Sequence, residues 1–321
     1  MRTFEACLLA VAIGAAASAP ADAQVASVRV LTALPATYSM ASALAKQTSI
    51  VVENVPERPR PMAALGDYLE TRADQLRPQF ETADAVITIG KLWSRDPLFT
   101  AVRHANIRVV DIDASRPWST TLEGISVAEE PHANVPWAPA DEANRTSSVY
   151  YWLSPANGAR SAEIVAADLE RLSVKDAEQI RKNLAAYRQR LLDLKLEFEV
   201  KFASLADTQL LALAPEFVYL TSDMGLFVGG YFFKQDVDWT EDDATRLTTY
   251  LKEHDIGVVV HKWDPSPLIR AAIERGGARL VVLDTIELGV PAGGQFGETS
   301  YLEMLRTNLQ TLYDGLAKAN Q

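Results

Sequence analysis

The 321-residue chain predicts an α/β protein of two lobes joined by one long helix. Three observations carry that expectation. Short apolar runs alternate with helical patterns through both halves, as in strands covered by helices. Between the halves lies the clearest periodicity in the chain: Ile180, Leu184, Tyr187, Leu191, Leu194, Phe198, Phe202 and Leu205 recur every three or four residues. A hydrophobic content of 48% against 23% charge belongs to a folded globular chain, and the length suffices for two ordinary domains.

Taken in order, residues 1–23 carry one early arginine, an apolar run at 8–17 and the small residues Ala21-Asp22-Ala23 before Gln24. These are the parts of a secretory signal peptide, so a soluble periplasmic protein is expected. Cys7, the chain's only cysteine, falls in that leader, which leaves the exported part without disulfide, thiolate site or cysteine nucleophile. The first lobe is expected over 24–174. It opens with strand VRVLTAL (28–34), a helix at 38–46 and strand TSIVVENV (48–55). VPERPRP (55–61) must be a loop, since its prolines break helix and ladder alike. Helical material to about residue 80 leads to strands at 83–90 and 107–113, and 115–148 reads as a long irregular excursion.

A helix follows Asn157 to about residue 172, and Ser173 is expected to cap the connecting helix, 175–205. At 1.5 Å per residue that helix spans roughly 45 Å, enough to lie along both lobes. Its single apolar stripe points to packing within the chain rather than a coiled coil. The second lobe, 206–321, repeats the alternation. It has a strand within 208–220, a turn-rich stretch at 225–233, a helix at 240–254 capped by Thr240, and strand IGVVVHKW (256–263). A helix at 265–275, strand ARLVVLDTI (278–286), a Gly-rich loop to 297 and a terminal helix from Ser300 complete it.

The net charge of −11 argues against nucleic acid or an anionic membrane as partner. No G-x-S-x-G or H-E-x-x-H motif occurs, and His104, His132, His254 and His261 show no paired spacing, so an enzyme is not expected. Gly293, Gly294 and Gly297 lack the Lys-Ser/Thr of a phosphate loop.

Four segments carry a resemblance. YYWLSPAN (150–157) stands where a known pattern has His-x-Trp-Leu-Asp-Pro-x-Asn. APEFVY (214–219) with Gly225-Leu226 matches a segment that begins with His. Val282-Leu283-Asp284 matches a strand end bearing an aspartate, and Tyr301 to Arg306 with Asn308-Leu309 matches a last helix. In these the chain resembles the periplasmic zinc- and manganese-binding receptors of ABC importers. The resemblance implies two α/β lobes of parallel strands, a rigid connecting helix, a ligand cleft between the lobes and an inner-membrane permease as partner. A monomer whose lobes close only slightly is expected, because a stiff helix spanning both resists hinge opening. No organic cofactor is implied; a divalent or ferric ion would be cargo.

The ligand positions of that family are largely replaced. The first histidine should fall in the loop bearing Glu57, Arg58 and Arg60, the second is Tyr150, and the third is Ala214 with Glu216 two residues on. Asp284 alone stands as the family has it, at the end of a strand expected to face the cleft. Three readings stay open. A metal ion held by Tyr150, Glu216 and Asp284, with His261 helping, would favour manganese or ferric iron, which prefer oxygen donors. A metal complex or small organic anion would pair with Arg58 or Arg60 against an aromatic wall of Tyr150, Tyr151 and Trp152, with Glu216 also at the site. A periplasmic chaperone or adhesin would reuse the fold alone.

Overall fold

The computed structural model describes residues 27–139, 146–288 and 296–321. The expected signal peptide and most of the Gly-rich loop after residue 288 lie outside them. Two four-stranded parallel sheets organise the chain. The first contains β1 (Val28–Thr32), β2 (Ile50–Asn54), β3 (Ala85–Thr88) and β4 (Val110–Asp113), in the order β2-β1-β3-β4. The second contains β5 (Leu210–Ala212), β6 (Val228–Tyr231), β7 (Val258–His261) and β8 (Arg279–Val282), in the order β6-β5-β7-β8. One topology is therefore used twice. The central strand β3 and its counterpart β7 are buried along their whole length, as Val- and Ile-rich strands covered on both faces should be.

The helices fall close to their expected places. α1 (Pro35–Leu44) begins three residues early because proline fits the first helical turn. The helical stretch to residue 80 is two helices, α2 (Met62–Thr71) and α3 (Ala73–Glu81), broken at Arg72. α4 (Leu98–Ala105) has no counterpart in the sequence reading; only Leu98 and Val102 in it are buried, too few to print a stripe. α5 (Pro155–Leu172) is capped by Ser154, whose hydroxyl accepts the Asn157 amide. α6 (Ala177–Ala203) is the long helix, about 40 Å by its residue count. Ser173 does not cap it: the Ser173 hydroxyl donates to Asp176 across an intervening 3-10 turn.

α6 is tied at both ends. At one end Asn183 donates to the Leu44 and Lys46 carbonyls of the first lobe. At the other, Glu197 and Lys201 bond Arg306 and Gln310 of the last helix, α10 (Ser300–Ala319). Its buried stripe is the expected one, with Leu184 and Leu205 half-buried at the margins. Of the remaining helices, α7 (Val218–Asp223), α8 (Glu241–Glu253) and α9 (Pro267–Arg275), α8 carries the expected Thr240 cap as a full capping box with Asp243.

The turn-rich stretch at 225–233 contains β6 instead. Its two glycines hide it in the sequence, and Gly230 is needed: a Cβ there would sit 3.1 Å from Val135 and 3.2 Å from Tyr250. Val135 arrives from the irregular excursion, which crosses from the first sheet to the second. Asn134 exchanges two hydrogen bonds with Tyr231, at 3.0 and 2.7 Å, and so covers the free edge of β6.

Candidate functional site

In each sheet the chain winds outward in opposite directions from the central pair, β1/β3 in the first and β5/β7 in the second. Crevices form outside the carboxyl ends of such pairs. A cavity of about 680 Å³ is walled by Met62, Trp93 and Arg95 of the first lobe, by Glu130 and Tyr150 of the crossing segments, and by Glu287 after β8. A second cavity of about 610 Å³ is walled by the first lobe alone, between α2, α3 and α4.

Tyr150 reaches the first of these cavities at the entrance to a 3-10 turn, 151–153. Its hydroxyl donates to Glu287 at 3.2 Å, and Glu287 also accepts the Met62 amide at the start of α2. One carboxylate thus joins the two lobes across the cleft, with its charge at a helix N-terminus where it is favoured. Burial, then the nearby Glu287 and Glu216 charges, push the Tyr150 phenol well above its ordinary range, so it stays protonated.

Trp152 is placed differently from Tyr150. It is 1% exposed, its indole donates to the Thr285 carbonyl at 2.9 Å, and its ring meets Tyr150 and Tyr151 edge-on. Tyr301 donates to its carbonyl from α10. The YYW cluster therefore splits: Tyr150 lines the cavity, while Tyr151 and Trp152 form the joint behind it. Ser154 and the Ala156 amide both bond Asp223, and Asn157 clamps Ser126 through both ends of its amide.

Glu216 follows β5 and Lys262 follows β7, so the two meet at the second sheet's switch point. Glu216 is 6% exposed; one carboxylate oxygen accepts the Lys262 ammonium and the other has no hydrogen-bond partner among the described residues. Ala214, where the resemblance expects a third ligand, is buried.

His261 is buried beside them. Its Nδ1 accepts the Lys262 and Trp263 amides at 2.8 and 3.2 Å, which puts the proton on Nε2, 4.0 Å from Asp236. Burial holds this imidazole below its ordinary value, with Asp236 opposing, so it stays neutral with Nδ1 engaged by the two amides.

Asp284 ends the edge strand β8 rather than a strand of the central pair. Its side chain turns back to accept the Ile286 amide at 2.6 Å and reaches solvent, although the surrounding protein still raises its carboxyl. Arg58 is exposed, and Arg60 stacks on the Tyr68 ring at 4.4 Å; neither lines the cavity. The cation that does is Arg95, exposed and without an ion pair among the described residues. Tyr150 and Glu216 are thus brought near each other, with His261 and Lys262 beside Glu216. No group of three His, Cys, Asp or Glu side chains able to hold a metal ion occurs among the described residues.

The sequence reading missed Glu287, Lys262 and Arg95. Lys262 adjoins His261 at a strand end, which was a usable signal; Glu287 and Arg95 sit in loops that no periodicity marks.

Residues 30–315 match the model of a protein family described as the zinc-uptake complex component A, periplasmic, ZnuA. Among solved structures, a mutant of FpvC from Pseudomonas aeruginosa is 18% identical with a TM-score of 0.73, covering 91% of this chain and 100% of that one. The solute-binding protein FpvC in complex with Mn2+ gives 18%, 0.67, 91% and 99% for the same quantities, and ZnuA gives 18%, 0.65, 92% and 100%. At these identities the structures speak for the fold. Among the described residues no helix is long and apolar enough to cross a membrane.

Proposed function

Since the chain belongs to the ZnuA family of metal-binding receptors of ABC importers, we propose that it is an exported receptor whose cargo is a metal carried in a complex with an organic ligand. The leader at 1–23 directs export, the cargo enters the cleft lined by Tyr150, Glu287, Trp93 and Arg95, and a membrane permease receives it.

One observation carries this reading: no three metal-ligating side chains converge among the described residues, and each donor expected to hold a bare ion already carries a hydrogen bond or ion pair inside the protein. Tyr150 is bonded to Glu287, Glu216 to Lys262, His261 to two backbone amides, and Asp284 to Ile286. A bare ion needs three or more free donors converging at about 2.0–2.6 Å. A cavity of about 680 Å³ is instead of the size that takes a small organic molecule. A complex brings its own donors and needs from the protein a shaped wall and a counter-charge. Trp93 and Tyr150 offer the first, and Arg95 offers the second to an anionic group.

Native mass spectrometry with elemental analysis of protein purified from its own periplasm tests this. Stoichiometric metal accompanied by an organic mass is the expected result. Metal alone, or neither, overturns it.

A further inference from the structure

We propose that the cavity between α2, α3 and α4 is a second compartment of the binding site, taking the apolar arm of an organic anion whose charged group is met by Arg95. This deepens the reading of the cargo as a metal complex, on which it rests, by naming the chemistry of the organic ligand.

The two cavities adjoin, since Gly66, Ser94 and Arg95 line both. The first-lobe cavity, about 610 Å³, has room for a chain or ring of several carbons. Leu69 and Phe80 are buried in its wall, with Pro97, Ala101 and Ala105 beside them. Covering such a wall removes apolar surface from water, which an alkyl or aryl group achieves and a hydrated ion does not.

Charge sits at the margin. Asp96 spends its oxygens on the Ile89 and Leu98 amides, and Glu70 is exposed on α2. Arg77 is paired with its neighbour Asp74 at 3.2 Å. Arg95 has no ion pair among the described residues and borders both cavities, so a carboxylate can pair with its guanidinium while the rest of the molecule enters the apolar one.

Gly66 keeps the boundary open. It is the fifth residue of the ten in α2, an interior position where glycine is unfavourable. Nothing in the fold demands it there. Its φ is not positive, and an added Cβ would meet no heavy atom within 4 Å. A side chain at 66 would instead occupy space that borders the two cavities.

Titration of metal-free, leader-processed protein with sodium octanoate and with sodium acetate, followed by NMR, tests the proposal. Octanoate adds six methylenes to the same carboxylate and is expected to bind at least 10-fold more tightly. Gly66→Leu should lose that preference while its acetate affinity and its denaturation midpoint do not fall, because leucine suits a helix and displaces no protein atom. Thr100→Trp, at an exposed position of the same cavity on α4, should lose the preference as well. Arg95→Gln should weaken both anions by a similar factor.

Equal affinity of wild type for octanoate and acetate overturns the proposal, and needs no variant to be read. So does a preference that survives both Gly66→Leu and Thr100→Trp. The expected pattern with no organic mass on the periplasmic protein retires the cargo reading and leaves the compartment standing; an organic mass without the preference does the reverse.

Discussion

At the carboxyl ends of the first sheet, Asp96 accepts the Ile89 and Leu98 amides, and Asp113 accepts those of Lys91 and Ser115. At the matching ends of the second sheet, Glu216 accepts the side chain of Lys262 and leaves an oxygen unpartnered among the described residues. The strand order is the same in both. Backbone amides cannot leave a carboxylate without unravelling a loop, whereas an ammonium on a four-carbon stem can swing away. The acids of the first lobe therefore shape the cleft wall, and exchangeable charge is concentrated in the second.

The comparison can be broken most forcefully at the joint shared by both regions. Trp152→Ala should cost about 3–5 kcal/mol in urea denaturation, because a fully buried indole is lost together with its bond to Thr285. A loss below about 1 kcal/mol would mean that the lobes do not depend on this contact.

The acids themselves come next. Asp113→Ala should destabilise by about 1–3 kcal/mol, since it orphans the amides of Lys91 and Ser115. Glu216→Gln should cost less, because its amide oxygen can still accept the Lys262 ammonium, which also reaches water. The reverse order would collapse the distinction between structural and exchangeable acids.

pH sharpens it further. Burial pushes the Asp96 carboxyl up to about 6 against 3.8 unperturbed, with Asp111 and Asp113 adding to the rise. A raised folded value favours the protonated form, so the stability tied to Asp96 is full below about pH 4 and is lost as pH rises through 6. Denaturation midpoints of the wild type should fall across that window by the equivalent of up to about 3 kcal/mol. Asp96→Asn should flatten the profile.

The smallest effects separate the two arginines. Arg60→Ala should lose about 0.5–1 kcal/mol of stacking on Tyr68 and leave capture of the cargo unchanged. Arg95→Ala should leave stability unchanged and weaken capture. Equal effects of both on capture would restore the loop at 55–61 to the site.

Much of this architecture is legible in the residues. β3 and β7 show as apolar runs, and α6 shows as one stripe because a helix along two lobes must bury one face continuously. β6 does not show, since Val-Gly-Gly-Tyr carries no alternation and its place is set by Tyr250 and the crossing segment. The site is less legible still. Tyr150 and Glu216 could be named from their offsets to a known pattern, but Lys262 matters only because β5 and β7 are neighbours, which is a fact of topology. Glu287 lies in irregular chain after β8 that periodicity does not reach. Trp152 illustrates a further limit: an aromatic in sequence does not reveal whether it faces a cavity or the core.

The central claim is that cargo is met by walls and counter-charge rather than by direct ligation. Anomalous diffraction from crystals of the cargo-loaded protein tests it at the atom that matters. The account predicts a metal peak inside the cleft that lies beyond bonding distance of Tyr150, Glu216 and Glu287, with organic density between it and the protein. A peak ligated directly by those oxygens, with Lys262 swung aside, would contradict it.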